Sequence, residues 1–190
     1  KNYGTNALAT TAYDDGYTAG GMYYCNGTGG ETRRNVTINN VIAGDKIVVY
    51  MASSNAATGT LVFKYLGEDN EQVEKASFTN KGTKYEFVAK YSGSYKVYTD
   101  AAAGKPIYNR IVRIPGVAVS GTIDGAQLSG YKVMFKDEAN GITYDADIKG
   151  NTFTATLAAG CNYTAVLSGV AGYGFSNATK NISTTVDEAL

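Results

Sequence analysis

The stretch Gly150-Asn151-Thr152-Phe153-Thr154-Ala155-Thr156-Leu157 decides the fold. Phe153, Ala155 and Leu157 alternate with Thr152, Thr154 and Thr156. A period of two puts one set on each face of an extended chain, whereas a helix would scatter both around its axis. Outward from this stretch the period recurs. Val117, Val119 and Gly121 to Ile123 precede it, then Tyr131, Val133 and Phe135, then Ile142, Tyr144, Ala146 and Ile148. Tyr163, Ala165 and Leu167 follow the turn at Ala159-Gly160. About seven short strands with one apolar and one threonine-rich face make a small antiparallel sandwich.

Further upstream the same alternation appears in Ile47, Val49 and Met51, in Leu61, Phe63 and Tyr65, in Tyr85, Phe87 and Ala89, and in Tyr95 and Val97. Gly59, Gly67, Gly82 and Gly93 punctuate the links, as turns between antiparallel strands require. These strands predict a second sandwich, of jelly-roll type. Between the two, Ile111-Val112-Arg113-Ile114 runs into Pro115-Gly116, a turn and linker signal, before Val117 opens a new alternation. The expected organisation is therefore all-β, with two antiparallel β-sandwich domains at 1–116 and 117–190. The first is read as jelly-roll-like and the second as transthyretin/Ig-like. The opening segment, Lys1 to Gly30, is rich in glycine and tyrosine and lacks a period; it is compatible with a wrapped edge or loop. A helical stripe is conceivable only in the tail, Thr185 to Leu190.

The 17 basic and 17 acidic residues cancel, so no global field favours nucleic acid or an anionic membrane surface. They are unevenly placed: thirteen basic and ten acidic residues lie in 1–116, four and seven in 117–190. The first domain is the better candidate for an anionic ligand. No run of apolar residues is long enough to span a bilayer, and no basic-then-apolar leader precedes Tyr3, so the chain reads as a domain fragment cut from a larger protein. Cys25 and Cys161 fall in different domains, and a bridge would need their Cα atoms within about 7 Å. Two unpaired cysteines is the plainer reading.

The absence of histidine removes Ser-His-Asp and Cys-His arrangements and imidazole zinc ligands. A glycosidase needs only two carboxylates across a cleft, and Asp14, Asp15, Glu31, Asp45, Asp69 and Glu71 are available. Isolated acids in turns are more simply solvated loop residues, so no catalytic residue is assigned and the chain is read as a non-enzyme. No cofactor is called for. Calcium is left open, because Asp14-Asp15-Gly16 and Glu68-Asp69-Asn70-Glu71 carry hard oxygen donors.

Two resemblances bear on function. Val119-Ser120-Gly121-Thr122-Ile123, Leu128-Ser129-Gly130-Tyr131-Lys132-Val133, the Gly150 to Leu157 stretch and Tyr163-Thr164-Ala165-Val166-Leu167 resemble the carboxypeptidase regulatory-like, transthyretin-like repeats of bacterial surface proteins. That resemblance covers nearly all of 117–190 and implies a spacer. It also raises a Lys-Asn isopeptide bond of the pilin-type branch, with Lys132 or Lys136 and Asn177 or Asn181 as partners. Residues 1–116 are similar to accessory domains beside pectate lyase and related catalytic domains of bacterial multimodular enzymes. The similarity is carried by Asn2 to Leu8, Val41 to Ile47, Ser92 to Tyr98 and Lys105-Pro106-Ile107-Tyr108-Asn109-Arg110-Ile111. It implies a non-catalytic, carbohydrate-binding module for plant cell-wall polysaccharide, pectin (homogalacturonan) above all, in an extracellular or bacterial cell-surface protein.

Such a ligand calls for aromatic faces to cover sugar rings and cations to meet galacturonate carboxylates. The candidate binding residues are Lys105, Arg110, Arg33 and Arg34 as cations, with Tyr108, Tyr23 and Tyr24 as platforms. Tyr108 and Arg110 are expected on one side of the last strand of the first domain. The alternative is a pair of purely structural or cell-surface presentation or adhesion domains with no glycan ligand, in which these tyrosines are half-buried strand residues and the arginines are solvated.

Overall fold

The computed structural model describes residues 11–25, 27–53, 58–79, 81–100, 105–123, 130–169 and 179–184, with the backbone alone for Tyr24 and for 179–182. It is all-β: the described residues contain no helix. They group into two compact units, one of Lys1–Ile42 with Ile47–Ile114 and one of Ala43–Lys46 with Pro115–Leu190. The tail read as a possible helix lies outside the described residues.

The first unit holds eight strands: β1 (Tyr23–Tyr24), β2 (Val36–Val41), β3 (Lys46–Ser53), β4 (Gly59–Tyr65), β5 (Val73–Phe78), β6 (Thr83–Val88), β7 (Gly93–Asp100) and β8 (Pro106–Ile114). They form two four-stranded sheets, ordered β1-β8-β3-β6 and β2-β7-β4-β5. The pairs 1–8 and 3–6 lie in one sheet, and 2–7 and 4–5 in the other. A long hairpin of four strand pairs, rolled so that alternate pairs fall in opposite sheets, gives this order. The inward residues interleave into one core of Val41, Ile47, Val49, Met51, Leu61, Phe63, Phe78, Phe87, Tyr95, Val97 and Tyr108. The Phe63 ring stacks between Phe87 and Tyr95, with centroids 5.0 and 4.5 Å away.

Strand β3 is buried on both faces, from Ile47 to Ser53. Its outward residues Val48 and Tyr50 are covered by the opening segment, whose Tyr13, Tyr17 and Ala19 pack on them together with Val112. Residues 11–19 close on themselves as a short irregular hairpin: Ala19 N donates to Thr11 O, Tyr13 N to Tyr17 O and Gly16 N to Tyr13 O. The unassigned opening segment is thus a strap laid on the outside of one sheet.

The second unit holds β9 (Val117–Thr122), β10 (Lys132–Asp137), β11 (Ile142–Asp145), β12 (Asp147–Lys149), β13 (Thr152–Leu157), β14 (Asn162–Ser168) and β15 (Thr179–Ser183). Their sheets are ordered β11-β10-β14-β15 and β12-β13-β9. The run Ile142–Lys149 breaks at Ala146: β11 pairs with β10, whereas β12 pairs with β13 in the other sheet. One extended stretch therefore turns the corner between the layers. Tyr131, Val133, Phe135, Ile142, Tyr144, Leu157 and Tyr163 are buried. Gly121 is required beneath Phe153, because a Cβ there would meet the ring at 2.5 Å. In the same unit Asp45 Oδ1 accepts the Gly116 amide at 3.1 Å, and Gly44, at φ +90, lies against the Thr156 carbonyl. Lys136 and Asn181 flank Thr164 on opposite sides in register, so two strand spacings, roughly 9–10 Å, part them; Asn177 lies outside the described residues.

Both units close a strand turn with a buried tyrosine hydroxyl, the device known as a tyrosine corner. Tyr95 Oη accepts Tyr91 N at 3.0 Å and lies 2.9 Å from both Tyr91 O and Gln72 Oε1. Tyr163 Oη accepts Ala158 N at 2.8 Å, and Thr184 Oγ1 donates to Ala158 O at 2.5 Å beside it. Burial pushes both phenols above the usual tyrosine range.

Candidate functional site

Strand β8 supplies the centre of the candidate site. Tyr108 points into the core between the sheets, and Ile111 packs against that same core. Between them, Asn109 accepts the Tyr13 hydroxyl at 2.6 Å and donates to Gly21 O at 2.8 Å, tying down the strap on the outer face. Arg110 also lies on the outer face, its Cζ 5.0 Å from the Tyr17 ring centroid and 5.9 Å from that of Tyr50. The expectation that Tyr108 and Arg110 share a side of this strand does not hold for their side-chain ends: Tyr108 packs in the core, whereas the Arg110 guanidinium lies against Tyr17 and Tyr50 outside it.

Around these residues runs a groove of about 610 Å³, lined by Gly20, Gly21, Met22, Tyr23, Val36, Tyr108, Asn109, Arg110 and Ile111. It opens where the strap leaves the sheet edge, since β1 pairs only with Tyr108 and Ile107 of β8. Tyr23 is 39% exposed and stacks on Tyr108 with ring centroids 6.3 Å apart and planes 27° from parallel. Tyr108 itself is only 3% exposed, so it backs Tyr23 and presents no free face; its assignment as a platform is corrected on that ground. Burial raises the Tyr108 phenol strongly, and its Oη has no hydrogen-bond partner among the described residues.

The groove gathers Tyr23, Tyr108 and Arg110 from the candidate set. Lys105, Arg33 and Arg34 are not among its lining residues. Arg34 has its backbone in the left-handed region, at φ 52, and donates from Nη1 to Thr28 O at 3.2 Å. Arg33 is exposed in the preceding turn, where its amide donates to Gly30 O. Lys105 is half-buried just ahead of β8. The Tyr24 backbone pairs with Ile107, and its side chain lies outside the described residues.

Among the acids proposed for calcium, Asp15 accepts Tyr17 N at 3.1 Å and the Tyr50 hydroxyl at 2.8 Å and pairs with Lys84 at 3.4 Å. The Tyr50 hydrogen bond above all lowers the Asp15 carboxyl below its ordinary range. Asp14-Asp15-Gly16 is a turn of the strap, and Glu68 to Glu71 lie exposed between β4 and β5. Among the described residues no three acidic or cysteine side chains converge as a metal site. Both cysteines are free, Cys25 in the core of the first unit and Cys161 half-buried in the second; burial raises both thiols.

Sequence reasoning did not single out Tyr50, Met22 or Val36. For Tyr50 a signal exists: Ile47-Val48-Val49-Tyr50-Met51-Ala52 is apolar on both faces, the pattern of a strand covered twice. Nothing local marks Met22 or Val36, which enter the groove only through tertiary packing. No family model, curated protein or solved structure matches this chain.

Proposed function

We propose that the chain is a non-catalytic carbohydrate-binding module followed by a spacer, working outside the cell or at a bacterial cell surface within a larger plant polysaccharide-degrading enzyme. Pectin is the candidate ligand. The observation that carries this reading is the exposed Tyr23 ring, stacked on buried Tyr108, in a groove that also holds a guanidinium. A sugar ring laid on Tyr23 would bury its apolar face there while its hydroxyls stay solvated. The strand order of the first unit supports a jelly roll, and the corner-turning stretch of the second suits a transthyretin-like spacer.

Affinity electrophoresis of the intact chain through gels containing homogalacturonan, xylan or glucan tests the proposal. Retardation by pectin that is lost in Tyr23→Ala supports it; no retardation by any of the three overturns it. The competing reading, a structural or presentation pair without ligand, is favoured by the work Tyr13, Tyr50 and Asn109 already do in fastening the strap. It requires Tyr23→Ala to change nothing but stability.

A further inference from the structure

We propose that the groove selects a carboxylate-bearing sugar, a uronic acid, through Arg110, and that Tyr17 is the residue that positions Arg110 for this task. The proposal rests on the glycan-binding reading of the groove. Its ground is how the guanidinium is held. Tyr17 and Tyr50 lie against Arg110 through their rings, at 5.0 and 5.9 Å, and no hydrogen bond or ion pair joins Arg110 to any described residue. A guanidinium carries its five N–H donors in its plane, so contact with aromatic rings restrains the ion without consuming a donor.

Three other cations of this unit are committed elsewhere. Lys64 pairs with Glu31 at 2.7 Å, Lys84 with Asp15 and Glu86, and Arg34 with the Thr28 carbonyl. Arg110 is the one charged residue among those lining the groove, and no carboxylate is among those lining residues. A planar fork of unspent donors next to a stacking ring matches a pyranose bearing a carboxylate, which accepts two parallel charge-assisted bonds. A neutral hexose or a methyl ester offers no such acceptor.

The test is calorimetry on the full chain at low salt, with unesterified and with fully methyl-esterified homogalacturonan fragments of one length. The unesterified fragment should bind on the order of tenfold more tightly. That preference should collapse in Arg110→Gln and shrink in Arg110→Lys, which keeps the charge and loses the fork. It should collapse in Tyr17→Leu and survive in Tyr17→Phe, which keeps the ring; a merely structural role for Tyr17 would alter the melting temperature and leave the ratio untouched. Equal affinity of the parent chain for both fragments overturns carboxylate selection and leaves the glycan-binding reading standing. Binding of neither overturns both. A preference that persists in Tyr17→Leu overturns the positioning role alone.

Discussion

Three buried tyrosine hydroxyls have opposite accounts with their surroundings. Those of Tyr95 and Tyr163 each accept a backbone amide in a strand turn, at 3.0 and 2.8 Å. Removing either leaves a desolvated amide unpaired, so Tyr95→Phe and Tyr163→Phe should each cost about 1–3 kcal/mol in urea unfolding. The Tyr108 hydroxyl is buried without a partner among the described residues. Tyr108→Phe should therefore be neutral or stabilising by up to about 1 kcal/mol. A loss as large as that of the other two would show that this hydroxyl is satisfied after all. At this scale the sequence was partly legible. Inward residues such as Phe63, Val133 and Phe135 follow from alternation, but the roles of Tyr95 and Tyr163 depend on a turn four or five residues upstream whose path no periodicity describes.

Among the elements, β3 and β8 carry the site. The two-faced apolar run of β3 announces a cover, yet nothing in the strap's own sequence announces that it is the cover, because its glycines and tyrosines have no period. The placement of Arg110 was equally hidden: Tyr108-Asn109-Arg110 reads as plain alternation, and only the contacts of the Arg110 guanidinium with the Tyr17 and Tyr50 rings depart from it. The strap has its own pH dependence. Asp15 is held below its ordinary range first by the Tyr50 hydroxyl, then by the Tyr17 amide. A carboxyl lowered on folding stabilises the folded state above its unfolded value, near pH 3.9, and loses that contribution as pH falls through the folded value. Exchange protection of the Tyr13, Gly16 and Ala19 amides should therefore drop on acidification below about pH 4 while that of β4 and β7 holds. Asp15→Asn should remove the difference. Uniform loss across the first unit would mean that the strap does not open separately.

For the whole molecule, all-β architecture was legible because period-two alternation is a local property repeated in nearly every strand. The neighbours of each strand were not, since the order β1-β8-β3-β6 joins residues far apart in sequence. The uneven charge, thirteen basic against ten acidic residues in 1–116, adds only a weak field around the groove. Its reach is about 10 Å at 0.1 M salt and about 3 Å at 1 M. On the proposed pectin-binding function, affinity should accordingly fall severalfold between about 0.05 and 0.5 M sodium chloride; affinity indifferent to salt would mean that stacking on Tyr23 alone governs the proposed recognition. The antiparallel pairing of β1 with β8 also has a mechanical side. Beyond the pair Tyr23–Tyr108, the strap at one end of β1 and the remainder of β8 depart in the same direction. Tension applied there would pull the two apart one hydrogen bond at a time, as a zipper opens, instead of shearing many bonds together. A pull applied between the strap and β8 would therefore reach the Tyr23–Tyr108 pair before the Tyr24–Ile107 pair behind it.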